Sequence, residues 1–172
     1  MKGGSMRDEA IRQVPGLMVF PGTFDPFTLG HLDLVERARR FCHELRILVF
    51  DNSAKSPVMA RRDRVSLIRR AVCHLDHVTV AEGSGLLAAY CVEHGVGAIV
   101  RGIRSAAQFD EESVMAGLNK KLGGGVETII FSAAERRHVS STLVREIARY
   151  GGDISDLVPG VIRVDIEKAY RV

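Results

Sequence analysis

At 172 residues and 18.9 kDa the chain has the length of one ordinary domain, and its 46% apolar and 26% charged residues exclude a disordered chain. Lys and Arg exceed Asp and Glu by 24 − 21 = 3, too weak a basic bias to argue for a nucleic-acid partner. No apolar run approaches the ~18 residues of a membrane span, the polar start lacks a signal-peptide core, and three cysteines without a CxxC speak against a disulfide framework or a cysteine zinc site and for a reducing cytoplasm.

Residues 1–16, with Gly3-Gly4 and five charged residues, read as a flexible N-terminal extension with an alternative start at Met6; residues 17–172 read as a single domain. Leu17–Phe20, closed by Pro21-Gly22, predicts a buried strand. His31–Phe41 has helical spacing, with Leu32, Val35, Ala38 and Phe41 on one side. Leu45–Phe50 predicts a strand, Arg61–His74 an amphipathic helix, His77–Ala81 a strand and Leu86–His94 a helix. Ala98–Val100 predicts a short strand, Ala107–Leu122 a helix, Glu127–Phe131 a strand and Ser140–Tyr150 a helix stopped by Gly151-Gly152; a last short helix follows Pro159. Cys42, Cys73 and Cys91 each read as small buried hydrophobes. Strands alternating with helices predict an α/β fold with a doubly wound, five-stranded parallel sheet. Ligands of such sheets bind beyond the carboxyl ends of the strands, so the residues after each strand carry the functional reading.

After the first strand, Pro21–His31 places glycines at 22 and 30, where the backbone can approach a ligand, and a helix start at His31, where unpaired N–H groups favour a phosphate. Lys55, after the second strand, is on the residues alone a solvated lysine that can also reach a phosphate as a point charge. Arg101-Gly102-Ile103-Arg104 follows the fourth strand with two guanidinium groups able to grip phosphate oxygens. After the fifth come Arg136-Arg137-His138, then Val139-Ser140-Ser141-Thr142; Ser140 or Ser141 can cap the next helix, and the run of hydroxyls can also hold a phosphate. Four loops at one edge thus form a polyphosphate cradle, and without a GxxxxGK[ST] run it is not a P-loop.

Gly22-Thr23-Phe24-Asp25-Pro26 with Thr28-x-Gly30-His31 resembles the (H/T)xGH signature of the nucleotidyltransferase superfamily, and Ser140-Ser141-Thr142-Leu143-Val144-Arg145 resembles its second, Ser-rich motif. Lys55 in S-x-K-x-P, Val100–Arg104, Met115-x-x-x-Asn119 and Gly151-Gly152-Asp153 are similar to bacterial phosphopantetheine adenylyltransferases. The resemblance runs from about Leu17 to Val161. Three stretches depart from the family's usual pattern: Gln108-Phe109-Asp110-Glu111-Glu112, Arg136-Arg137-His138 and Leu86-Leu87-Ala88-Ala89.

The resemblance implies a Rossmann-like fold and transfer of the adenylyl group of ATP to 4′-phosphopantetheine, giving dephospho-coenzyme A and pyrophosphate by in-line attack of the substrate's own phosphate. It implies His31, Lys55 and Arg104 as catalytic groups, Thr23, Lys55, Leu87 and Arg101 on the phosphopantetheine, and Thr23, Phe24, His31, Gly102, Ile103, Arg104 and Glu112 on ATP. Arg136, Arg137, His138, Val139, Ser140, Ser141 and Thr142 would close over the nucleotide. It further implies Mg²⁺ arriving with ATP, a homohexamer, and coenzyme A as a feedback ligand. Two other readings fit parts of the chain: a related adenylyl- or cytidylyltransferase with another acceptor, and an NADP-binding protein through Gly83-Ser84-Gly85-Leu86-Leu87-Ala88.

Overall fold

The computed structural model describes residues 14–51, 56–133 and 138–171; nearly all of the expected N-terminal extension lies outside them. Five strands, β1 (Leu17–Gly22), β2 (Glu44–Val49), β3 (Val78–Glu82), β4 (Ala98–Ile103) and β5 (Glu127–Ser132), alternate with α1 (Leu29–Ala38), α2 (Arg61–Val72), α3 (Leu87–Glu93), α4 (Ala106–Leu122) and α5 (Ser141–Arg149); α6 (Arg163–Tyr170) follows. The strands pair in the order β3-β2-β1-β4-β5, every pair parallel. This is the doubly wound α/β sheet that the alternation predicts.

The two-residue period of the strands splits the core. Met18 and Phe20 of β1, with Ile47 and Val49 of β2, face α1, α2, α5 and α6, burying Val35, Ile68, Val144 and Ile166. Val19 and Leu48 face the other way and join Ile99, Cys91, Val96 and Val126 beneath α3. Fully burying each such branched side chain contributes about 1.5–3 kcal/mol. The sheet therefore holds fixed the strand ends that carry the site.

Element ends differ from the sequence reading for identifiable reasons. Helix α1 begins at Leu29, two residues before His31, because the Thr28 hydroxyl accepts the His31 amide as an N-cap. Its helical run ends at Ala38, and Phe41, expected inside, is 53% exposed and packs its ring against Phe131. Strand β1 continues through Pro21 to Gly22, and β4 through Arg101 and Gly102 to Ile103, because these residues pair with β2 and β5. Arg101, Gly102 and Ile103 are thus strand residues and do not form a loop after the strand. Ser140 is the cap of α5, accepting the Leu143 amide at 3.1 Å. Of the cysteines, Cys91 is buried, Cys42 half-buried and Cys73 exposed.

Candidate active site

The sheet order reverses between β1 and β4, and there the ladder is short: β1 pairs with β4 only at Met18 and Val19, whereas β1–β2 runs to Gly22 and β4–β5 to Ile103. Pro21 has no N–H to offer a neighbour. A cleft of about 600 Å³ opens beyond this unpaired wedge, at the switch point where open α/β sheets bind ligands. Gly102 keeps it tight: a Cβ there would meet Leu34 Cδ1 of α1 at 2.2 Å.

Thr23, Phe24 and His31 line one wall. The His31 ring is held by its own helix start: the Thr28 amide donates to Nδ1 at 3.1 Å. With Nδ1 accepting, the proton of the neutral ring sits on Nε2. Phe27 stacks on the ring at 5.5 Å between centroids and Phe24 meets it edge-on at 5.1 Å, which fixes its plane. Opposite, Arg101, Gly102, Arg104 and Glu112 line the cleft. Arg101 donates to Glu112 through Nε at 2.7 Å and Nη2 at 2.6 Å, and through Nη1 to the Pro21 carbonyl at 3.1 Å. The two side chains expected on different substrates are therefore one bidentate ion pair. Val139, Ser140, Ser141 and Thr142 close a third side, tied down by Ser141 Oγ donating to the Pro26 carbonyl at 2.8 Å.

Three expected residues stand off the cleft wall. Ile103 ends β4, with its carbonyl accepting the Ala133 amide, Leu87 packs against the core beneath α3, and His138 is exposed. Lys55, Arg136 and Arg137 lie outside the described residues; Ser56 and Pro57, next after Lys55, do line the cleft. The Gly83–Ala88 run follows the edge strand β3, two strands from the switch point, where Gly83 makes room for the Phe50 ring.

A cytidylyltransferase-like family model matches residues 19–147. The chain is 44% identical over 146 residues to the phosphopantetheine adenylyltransferase of Pasteurella multocida, covering 84% of this chain and 92% of that protein. It is 44% identical over 154 residues to the phosphopantetheine adenylyltransferase of Corynebacterium glutamicum, covering 88% and 96%. The chain belongs to the phosphopantetheine adenylyltransferase family. A crystal structure described as a nicotinate-nucleotide adenylyltransferase of Vibrio parahaemolyticus shares the fold, with a TM-score of 0.64 at 16% identity over 88% of this chain and 97% of that one.

For a phosphopantetheine adenylyltransferase family member, the site residues expected from the motifs leave out part of the cleft. Arg145 lines it, donating to the Asp25 carbonyl and, through Nη2, to Thr142 Oγ1 at 3.3 Å. Its spacing of four from Ser141 on one helix was the signal for it. Asp25, 4% exposed, and Arg64, 1% exposed, brace the wall from behind. Arg64 donates to the carbonyls of Thr23 and Met59 and pairs with Asp51. Arg61, and after it Arg64, holds the Asp51 carboxyl below the usual carboxylate range. Gln108 lines the cleft and accepts the Arg104 amide at 2.8 Å.

Proposed function

We propose that this chain transfers the adenylyl group of ATP to 4′-phosphopantetheine, releasing dephospho-coenzyme A and pyrophosphate. The observation that carries the reading is that His31 and the Ser140–Thr142 helix start line one cleft, in a chain whose curated relatives bear the name of that enzyme. The incoming phosphate is itself the nucleophile, so the protein needs to position two substrates and stabilise charge. His31 Nε2–H donates to the phosphoryl oxygens as charge builds at the α-phosphorus. The start of α5, with its unpaired amides, the hydroxyls of Ser141 and Thr142, and Arg104, receives the β- and γ-phosphates. Thr23 and Lys55 hold the attacking phosphate. Arg101 contacts the pantetheine side with a guanidinium already partly neutralised by Glu112.

Mg²⁺ would travel with ATP. Among the described residues no cluster of three or more His, Cys, Asp or Glu could hold a metal, and a cleft lined by hydroxyls and carboxylates suits an ion carried on phosphates and water. When bound, it would neutralise the leaving pyrophosphate.

The homohexamer is part of the same reading. No residue of α4 is buried, and Phe109, Met115, Leu118 and Leu122 leave it apolar and exposed. A sedimentation run showing a monomer would sink it. Coenzyme A, which shares the pantetheine arm, would compete with 4′-phosphopantetheine for the cleft, and a cytoplasmic setting suits the substrates and the unpaired cysteines. Among the described residues no helix is long and apolar enough to cross a membrane.

The test is pyrophosphate release with ATP and 4′-phosphopantetheine, run beside nicotinamide mononucleotide and glycerol phosphate as acceptors. Release with 4′-phosphopantetheine alone is the expected result; release only with another acceptor overturns the substrate assignment.

A further inference from the structure

The Asp25 carboxylate sits behind the phosphate-binding wall, 4% exposed, and three donors converge on it. The Val58 amide donates to Oδ2 at 2.9 Å and the Met59 amide to Oδ1 at 3.2 Å. The third donor comes from the far end of the chain: the Tyr170 hydroxyl, on α6, reaches Oδ1 at 2.5 Å. Tyr170 is 6% exposed, so the bond is shielded from water, and an O–H donating to a carboxylate at that length is of the strong, charge-assisted kind.

These bonds tie together two segments that line the cleft. Asp25 adjoins Thr23 and Phe24, while Val58 and Met59 follow directly on Ser56 and Pro57. Arg64 makes the same tie through the Thr23 and Met59 carbonyls. Phe24 itself has φ +51, a left-handed conformation that a non-glycine residue keeps only where its surroundings hold it.

We infer that Tyr170 is a positioning residue for the reaction: through Asp25 it sets the distance between the Thr23 wall and the Ser56–Pro57 wall, and so the grip on the attacking phosphate. This rests on the adenylyl-transfer reading for which wall takes which substrate. The ATP side depends instead on α1, β4 and the capped start of α5, whose bonds to this segment, from Arg145 and Ser141, go to the main-chain carbonyls of Asp25 and Pro26 and not to the carboxylate that Tyr170 holds. The device therefore acts on one substrate.

Tyr170→Phe removes one oxygen and keeps the ring in the core. In steady-state pyrophosphate release it raises KM for 4′-phosphopantetheine and lowers kcat, together costing about tenfold or more in kcat/KM, as expected for losing a hydrogen bond to a charged group. KM for ATP stays unchanged. Asp25→Asn gives the same pattern, and the double variant is no worse than Asp25→Asn alone, because Tyr170 acts through Asp25. A Tyr170→Phe protein with a lower melting temperature but unaltered KM and kcat overturns the proposal, as does strict additivity in the double variant. If the wild-type chain releases no pyrophosphate with 4′-phosphopantetheine, the substrate reading fails and hydrogen exchange decides the link by itself. Faster exchange of the Val58 and Met59 amides in Tyr170→Phe, with the Val144 amide of α5 unchanged, upholds it; equal exchange overturns it.

Discussion

His31 carries two jobs on two nitrogens. Nδ1 accepts the Thr28 amide and completes a reciprocal cap with the Thr28 hydroxyl, while Nε2 is the donor to the reacting phosphate in the proposed transfer. Glutamine at the third helical position makes the same back-bond to a cap residue. His31→Gln is therefore expected to keep folding stability within about 0.5 kcal/mol, since only the far nitrogen's chemistry changes. Its kcat should fall about 10²–10³-fold, the usual cost of one lost donor to developing negative charge. Urea unfolding beside steady-state kinetics separates the two, and a glutamine variant with undiminished kcat would remove His31 from the chemistry. Such a residue was legible because the signature around it is local, eleven residues directly after one strand. Asp25 stood in the same signature without a legible role. Its partner Tyr170 is 145 residues away, on an element whose approach to β1 no periodicity reports.

At the scale of elements, apolar runs alternating with helical patterns made the five strands and their parallel pairing legible, because a strand buried on both faces must be apolar throughout. What escaped was where β1 and β4 end. Pro21 and Gly102 read as loop residues by composition, yet ladder pairing to β2 and β5 extends the strands through them. At the start of α5 the sequence offers one residue two uses, of which the structure shows the cap and the proposed reaction supplies the other. Ser140 caps the helix, and the same helix start is assigned to phosphate. The uses separate under substitution. Ser140→Ala loses the cap and is expected to cost about 1 kcal/mol in stability. Ser140→Asp restores a good cap and suits the helix dipole, so stability returns, but it sets a negative charge where the proposed reaction docks the triphosphate, and KM for ATP should rise about tenfold or more. An aspartate variant with unchanged KM for ATP would mean that the nucleotide does not bind at this helix start.

Across the whole molecule, two buried acids on opposite sides of the sheet give stability the same sign of pH dependence. Burial pushes the Cys91 thiol up from 9.0 to about 11, beneath α3. Burial, and after it the Asp25 carboxylate, pushes the Tyr170 phenol up from 10.0 on the other face. Both groups keep their protons in the folded chain at pH values where the unfolded chain has released them. A raised folded value contributes stability that is complete below the unfolded value and drains away as pH climbs through and beyond it. For Cys91 the decline starts near pH 9.0 and runs toward about 11; for Tyr170 it starts near pH 10.0. Urea midpoints measured from neutral pH to about pH 11 should therefore fall on the alkaline side. Cys91→Ala, although about 1 kcal/mol less stable at neutral pH through lost packing, should fall less steeply from pH 9.0 upward. Tyr170→Phe should flatten only the part above pH 10.0. Parallel curves for wild type and both variants would show that the alkaline loss comes from surface lysines and not from acids locked in the two halves of the core.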